Sequence, residues 1–257
     1  MKRMPVLIAV ALIAVTAIAA SDAPPVNKVA TSRGEFDLIV YPPAPQASQD
    51  GKPLVLFISG EGGWRRFDGV LAKWLSDDGY WVGGVDAIDY FWQPQDDRKA
   101  LASDFRAYAG ALAAASGRPA DAPLVIAGFS FGADLAPWLA GEGGWGARLH
   151  GLLMLAPDRI GSLAFRVMEL LGFEQQEHVF AVADALRDAA GLPVLFIHGE
   201  KDASAHTPVL AEKAAQPSRL VTIRGADHHF TGHEAELRGA LLDGLGWIES
   251  HGSTGSR

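Results

Sequence analysis

The sequence predicts a single α/β domain in which a mostly parallel, doubly wound sheet is flanked by helices. Continuous apolar runs, typical of parallel strands covered on both faces, alternate with segments of helical periodicity. The connections between these segments are mostly short, as in repeated strand–helix–strand units. A chain of 257 residues that is 49% hydrophobic can bury one substantial core, and we expect only one.

Residues 1–19 have the features of a signal peptide. Lys2 and Arg3 form a positive segment, Val6–Ala17 is apolar, and an Ala-Ile-Ala motif ending at Ala19 fits a cleavage site. The apolar run is short for a bilayer-spanning helix, although an uncleaved anchor is the alternative. We therefore expect export to the periplasm, with a peripheral association at the inner membrane.

Composition excludes several kinds of chemistry. A formal net charge of −8 argues against nucleic-acid binding, which usually requires a basic face. The chain contains no cysteine, so disulfides, thiolate catalysis and cysteine-based metal sites are excluded. We find no metal-ligand spacing and expect no metal and no cofactor. A nucleophile has to be a hydroxyl, a carboxylate or a water molecule.

The first half of the chain begins with a polar segment, residues 20–35, which we expect to be a flexible lead-in. Phe36–Tyr41 alternates apolar and polar residues like an edge strand, and Leu54–Gly60 is a continuous apolar run typical of a buried parallel strand. Phe67–Asp78 has the apolar spacing of a helix, and Gly79 follows it as a C-cap. Trp81–Ala87 predicts the next strand.

The middle of the chain continues the same alternation. Asp96–Gly117 predicts a long helix, Leu124–Ser130 a buried strand, and Phe131–Gly141 a short helix. Gly151–Pro157 predicts another buried strand. Residues 158–190 then interrupt the alternation, and we expect a partly helical, lid-like excursion there.

The last part of the chain completes the predicted sheet. Pro193–Glu200 and Arg219–Gly225 predict its last two strands, and His233–His251 predicts the closing helix. We therefore expect one domain over residues 36–250 and a disordered tail over 251–257. In such sheets the functional residues gather at the carboxyl ends of the strands.

A serine lies between two glycines directly after a predicted buried strand. Gly128-Phe129-Ser130-Phe131-Gly132 fits the G-x-S-x-G pattern of a nucleophile elbow. The serine occupies a strained turn, and the glycines let strand and helix approach without a Cβ clash. The position between a strand and a helix makes this pattern much more specific than the five letters alone. Ser130 is the candidate nucleophile.

A base and an acid follow at the ends of the last two predicted strands. His228 and His229 come after the final strand, and an aromatic residue two positions after His228 favours His228 over its neighbour. Asp202 follows the penultimate strand and is the favoured acid, with Glu200 and Asp158 as alternatives. The chain order serine, aspartate, histidine is that of the α/β-hydrolase fold.

Backbone amides are needed to stabilise a negative oxygen in the transition state. Phe131, directly after the candidate nucleophile, supplies one N–H group. The second is expected from Glu61 or Gly62, in the glycine-rich loop after an earlier strand. This loop lacks the Lys-Ser/Thr ending of a phosphate-binding P-loop, so we do not expect a nucleotide site.

Several acidic and aromatic residues are predicted near the same edge of the sheet. Glu61, Asp86, Asp89 and Asp134 form a candidate acidic patch for a substrate ammonium group, although Asp134 also suits the first turn of its helix. Trp64 is a candidate contact for a lipid head group. Core packing explains such aromatic residues equally well. The candidate substrate-binding residues are Trp64, Asp89 and Asp134.

Four blocks of the sequence resemble the bacterial VirJ/AcvB family: FISGEGGWRRFD, VGGVDAIDYFW, AGFSFGADLAPW and GADHHF. The similarity covers most of the chain and matches the short, single-domain form of the family. The resemblance implies a periplasmic α/β-hydrolase that cleaves the aminoacyl ester of lysyl- or alanyl-phosphatidylglycerol. It also implies Ser130 as nucleophile, His228 or His229 as base, and Asp202 as acid. The loop GEKDASAH matches the family pattern less closely.

The leading hypothesis is therefore an exported serine esterase that acts on an aminoacylated phospholipid head group at the membrane surface. Two alternatives stay open from the sequence. One is a general carboxylesterase or lipase with another substrate. The other is a binding protein on a hydrolase fold, with partners in a secretion system, because the family is linked with secretion and virulence.

Overall fold

The computed structural model describes residues 23–165 and 177–252. The predicted signal peptide lies outside the described residues. The centre of the predicted lid-like excursion and the last five residues of the predicted tail lie outside them as well.

Eight strands of the described chain form one sheet in the order β1-β2-β4-β3-β5-β6-β9-β10. Pairing is parallel from β4 to β10, whereas β1 and β2 are antiparallel to their neighbours at one edge. The prediction of a mostly parallel sheet is confirmed. The strands are β1 (Val26–Thr31), β2 (Gly34–Tyr41), β3 (Leu54–Ile58), β4 (Val82–Val85), β5 (Leu124–Phe129), β6 (Leu149–Leu155), β7 (Ile160–Ser162), β8 (Val179–Ala181), β9 (Val194–Gly199) and β10 (Ser218–Ile223).

Helices cover both faces of this sheet. Residues of α3 and α4 pack on one face, and residues of α1 and α7 pack on the other. In the described part of the chain, no helix has both the length and the apolar character needed to cross a bilayer. The helices are α1 (Arg66–Asp77), α2 (Ala87–Phe91), α3 (Arg98–Ala115), α4 (Phe131–Gly141), α5 (Val182–Asp188), α6 (Thr207–Lys213) and α7 (Glu234–Gly252).

Strand β3 explains why the central strands are continuously apolar. Leu54, Leu56 and Ile58 point into the core beneath α3 and α4. Val55 and Phe57 point into the core beneath α1 and α7. Because successive side chains of a strand face opposite sides, a strand covered on both faces needs an apolar residue at every position.

The prediction of a flexible lead-in over residues 20–35 is wrong for most of that segment. Strand β1 lies there and pairs along its whole length with β2. Its apolar content is low, and only Val29 is buried in the core. Exposed Lys28 forms an ion pair with Asp37 across the hairpin. The order of this segment therefore comes from pairing with β2, which local composition cannot indicate.

The described ends of the excursion over residues 158–190 pair with each other. Strands β7 and β8 are antiparallel, with Ile160 opposite Ala181, and α5 then packs against α4. His178 Nδ1 lies 2.6 Å from Asp96 Oδ1, which connects the excursion to the segment before α3. A role of the excursion as a lid stays a prediction.

Candidate active site

Ser130 lies at a sharp turn between β5 and α4. Its backbone has φ 51° and ψ −116°, a positive φ that is uncommon for a residue other than glycine. The Ser130 N–H donates to the carbonyl of Leu155 at 2.8 Å, which fixes the turn against β6. Strain of this kind persists only where the surroundings impose it, and it is often found at functional sites.

Two glycines permit this turn. A Cβ on Gly128 would lie 2.2 Å from the carbonyl carbon of Gly132, and a Cβ on Gly132 would lie 2.2 Å from the carbonyl oxygen of Ile58. Both distances are far shorter than any van der Waals contact. The first turn of α4 therefore packs directly on the ends of β5 and β3, and only glycine fits at these two positions.

The carboxyl ends of β9 and β10 bring an aspartate and a histidine together. Asp202 Oδ2 lies 2.6 Å from His228 Nδ1, and the Asp202 side chain is only 1% exposed. The two loops can approach because a Cβ on Gly199 would lie only 2.4 Å from the carbonyl oxygen of Ala226. A carboxylate at Nδ1 holds the imidazole in the orientation in which Nε2 can accept a proton.

The other carboxylate oxygen of Asp202 is held within its own loop. Oδ1 accepts hydrogen bonds from the hydroxyl of Ser204 at 2.6 Å, from the N–H of Ser204 at 3.0 Å and from the N–H of Ala205 at 3.2 Å. Burial alone would raise the pKa of Asp202, but the hydrogen bonds from Ser204 and His228 outweigh it and lower the pKa. Asp202 therefore stays ionised opposite the imidazole.

The other candidate bases and acids have different partners. The His229 ring packs against Phe67 and Phe129, with ring centroids 6.0 Å and 5.6 Å apart. Glu200 accepts a hydrogen bond from the backbone of Gly225. Asp158, the remaining alternative acid, is bonded to the side chain of His206. Of all the candidate bases and acids, His228 and Asp202 are the two that the described contacts join to each other.

Ser130 and His228 together line two cavities that share Glu61 as a further wall residue. The first, which we call the glycine-loop cavity, has a volume of about 270 Å³ and is also lined by Gly60–Gly63 and Phe67. The second, which we call the acidic cavity, has a volume of about 290 Å³. Its lining includes the carboxylates Glu61, Asp134 and Asp158. A serine between two cavities leaves room for both halves of an ester.

The residues expected to bind a negative oxygen lie at these cavities. Phe131 is the first residue of α4 and lines the acidic cavity, Glu61 lines both cavities, and Gly62 lines the glycine-loop cavity. Asp86 holds the glycine-rich loop in place, because its carboxylate accepts the N–H of Trp64 at 2.9 Å and also caps α2. Asp86, predicted as part of an acidic patch, therefore has a structural role that the sequence did not indicate.

Two predicted substrate-binding residues lie away from both cavities. The Trp64 ring covers Gly84 of β4, where a Cβ would approach the indole to 2.3 Å, and it meets Phe57 edge-on at 6.0 Å. The glycine leaves a slot for the half-buried indole, which packs against the core. Asp89 lies on α2 in a separate pocket beside Arg33. The structure therefore does not place Trp64 and Asp89 where they were expected.

Asp134 does line the acidic cavity, although it is only 6% exposed. Its Oδ1 accepts the N–H of Asp158 at 2.7 Å, so it also holds the segment that follows β6. Ser162 and Ser204 line the same cavity and were not predicted. No local motif marks them, because the fold brings them there from distant segments, the end of β7 and the loop after β9.

No group of three or more His, Asp or Glu side chains in residues 23–165 and 177–252 is arranged to hold a metal ion. The functional groups of the described residues at the site include a hydroxyl, an imidazole, carboxylates and backbone amides. The fold and the arrangement of these groups define an α/β-hydrolase fold with a serine-type site.

The chain belongs to the VirJ family. The family model described as bacterial virulence protein (VirJ) matches residues 52–247, which include the elbow serine and the aspartate–histidine pair. The resemblance to this family and the prediction of an α/β-hydrolase fold are confirmed. None of the curated proteins compared with the chain is significantly similar to it.

Solved structures with the same fold include proteins described as hydrolases and esterases. A serine hydrolase without a lid from Xanthomonas campestris is 22% identical, with a TM-score of 0.59 over 89% of this chain and 96% of that one. Est1E from Butyrivibrio proteoclasticus is 15% identical, with a TM-score of 0.64 over 88% of this chain and 99% of that one. The esterase domain of a Rhodothermus marinus protein is 15% identical, with a TM-score of 0.62 over 89% and 98%.

Proposed function

We propose that the protein is a serine esterase that hydrolyses the aminoacyl ester of lysyl- or alanyl-phosphatidylglycerol and releases the amino acid. The observation that carries this proposal is the 2.6 Å hydrogen bond between His228 and buried Asp202 at cavities that Ser130 also lines. An oriented imidazole beside a strained serine is the arrangement that activates a hydroxyl for attack on a carbonyl.

The proposed reaction starts with attack by Ser130 Oγ on the ester carbonyl carbon. His228 Nε2 takes the hydroxyl proton, and Asp202 stabilises the resulting imidazolium. The negative oxygen is stabilised by the N–H groups of Phe131 and of Glu61 or Gly62. His228 then gives its proton to the departing glycerol oxygen, and an aminoacyl-serine ester forms. Water, activated by the same imidazole, hydrolyses this ester and releases the amino acid.

The charge of the site supports a cationic substrate. Glu61, Asp134 and Asp158 line the acidic cavity next to the serine. Carboxylates near the reacting ester attract an ammonium group and disfavour anionic acyl groups. An aminoacyl ester carries such an ammonium group next to its carbonyl. The cavities, of about 270 and 290 Å³, are small, which suits an aminoacyl group better than a fatty acyl chain.

The location and partners belong to the same proposal. The positive segment and apolar run at the start of the sequence support export to the periplasm, where an aminoacylated lipid head group is accessible at the membrane surface. Secretion-system partners stay a prediction.

Purified protein mixed with lysyl- or alanyl-phosphatidylglycerol in detergent micelles should release the free amino acid. Ser130→Ala should reduce the rate by at least about 10³-fold, because it removes the nucleophile. Ser48→Ala, at an exposed serine that lines neither cavity, is the matched control and should keep the wild-type rate. Equal amino-acid release by wild type and Ser130→Ala would contradict the proposal.

A general carboxylesterase is the second candidate function. It is favoured by the fold shared with proteins that are described as esterases. Rates on p-nitrophenyl esters of uncharged short-chain acids decide between the two candidates. Faster turnover of these esters than of the aminoacyl lipids, after correction for their intrinsic reactivity, would favour the general esterase.

A further inference from the structure

Asp68 is a buried carboxylate in the wall of the glycine-loop cavity. It lies in the first turn of α1, is only 3% exposed, and lines the cavity together with Ser130 and His228. Its Oδ2 accepts the N–H of Arg65 at 2.9 Å, which caps the helix. Its Oδ1 is buried and has no hydrogen-bond partner among the described residues.

Helix capping explains only one of the two oxygens of Asp68. A buried carboxylate oxygen without a partner is costly, and such groups are rare in folded proteins. Burial raises the pKa of Asp68, and the negative charge of Asp86 raises it further. The backbone of Arg65 and Gly60 lowers the pKa, but by less than burial raises it. A cation in the cavity that Asp68 lines would lie near this carboxylate and favour its ionised form.

The two other buried carboxylates near the serine have no such unpaired buried oxygen. Asp134 holds the backbone of Asp158, and Asp158 in turn is bonded to His206. Asp202 uses both of its oxygens within the aspartate–histidine pair and its own loop. Asp68 is therefore the buried carboxylate at the site that keeps an oxygen without a hydrogen-bond partner in the described residues.

We propose that the negative charge of Asp68 determines substrate specificity by attracting the α-ammonium group of the aminoacyl ester into the glycine-loop cavity. This inference rests on the proposed function. The α-ammonium nitrogen is two covalent bonds from the carbonyl carbon that Ser130 attacks, so it has to lie in a cavity that the serine lines. Ser130 lines both cavities, and Asp68 lines the glycine-loop cavity, where the loop that supplies the expected oxyanion amides forms another wall.

The test compares two esters that differ only in the ammonium group, alanyl- and propionyl-phosphatidylglycerol in the same micelles. Asp68→Asn keeps an oxygen that can accept the N–H of Arg65 but removes the negative charge. It should lower kcat/KM for the alanyl ester by about 10- to 100-fold, mainly through KM, and change kcat/KM for the propionyl ester by less than about threefold. Asp77→Asn, at an exposed position of the same helix, should change neither value.

Two results would overturn the inference. Equal losses on both esters would mean that Asp68 only positions the loop and the helix. Unchanged values on both esters would mean that it contributes nothing to specificity. Thermal unfolding of Asp68→Asn shows whether the variant is folded under the assay conditions.

A wild-type protein that hydrolysed neither ester would refute the proposed function, and a binding experiment then tests Asp68 separately. Titration with L-alaninamide should show weaker binding to Asp68→Asn than to wild type and to Asp77→Asn. Equal binding to all three proteins would refute the ammonium site as well.

Discussion

At the scale of single residues, the site depends on what surrounds each ionisable group. The hydrogen bonds from Ser204 and His228 hold the pKa of Asp202 below its ordinary value despite burial. The unfolded chain therefore binds a proton at this group more tightly than the folded chain. The stability that Asp202 contributes is complete above its unfolded pKa of about 4, and it is lost as the pH falls through the lower folded-state pKa.

Asp202→Asn tests this pH dependence. At pH 7 the variant should lose about 1–3 kcal/mol of unfolding free energy, because its amide cannot replace the charged hydrogen bonds. The difference from wild type should shrink as the pH falls from about 5 to about 3. Urea unfolding of both proteins across this range measures it. A difference that stayed constant down to pH 3 would contradict the lowered pKa.

The residues of the site were predictable from sequence to different degrees, for physical reasons. Ser130 is marked by a local pattern, since the strained turn requires two glycines at fixed spacing. Asp202 and His228 are marked by their positions after strands, because parallel strands end at the same edge of a sheet. Trp64 and Asp68 carry no such mark. Whether a side chain faces a cavity or the core depends on packing between distant segments.

At the scale of elements, the backbone of α4 packs more closely on the strands β3 and β5 than any other pair of elements in the site. Gly132→Ala would place a Cβ 2.2 Å from a backbone oxygen, which no side-chain movement can relieve. We expect a loss of at least about 2–3 kcal/mol in unfolding free energy, together with a loss of esterase activity. Gly110→Ala in the middle of α3 is the matched control, because nothing lies within 4 Å of the added Cβ.

The control should be neutral or should stabilise the protein by up to about 1 kcal/mol, since alanine favours a helix interior. Denaturant unfolding and ester hydrolysis of both variants give the comparison. Equal stability of Gly132→Ala and wild type would mean that α4 does not pack on β3 as closely as described.

The long helices and the strands with apolar or alternating patterns were predicted, whereas the short helices and strand β1 were not. The five central strands and helices α1, α3, α4 and α7 have apolar patterns long enough to be recognised. Helices α2 and α6 have five and seven residues, too few turns for a period to appear. Strand β1 is ordered by its partner β2. The missed elements are therefore those whose stability comes from neighbours that are not visible in their own sequence.

At the scale of the whole molecule, the charge of the chain and the charge of the site have the same sign. The formal net charge is −8, and three carboxylates line the acidic cavity beside the serine. Such a distribution attracts cationic substrates over a distance of about 10 Å at an ionic strength of 0.1 M. It also repels an anionic membrane surface, so the attraction has to come from the aminoacyl group itself.

This attraction predicts a salt dependence that differs between substrates. Lysyl and hexanoyl esters of glycerol have acyl chains of equal length, but only the lysyl ester carries ammonium groups. Raising the ionic strength from about 20 to about 300 mM should lower kcat/KM for the lysyl ester by roughly two- to tenfold, because screening weakens long-range attraction. The value for the hexanoyl ester should change little. A parallel response of both esters would mean that salt acts on the protein in general, and that the negative charge of the molecule does not select cationic esters.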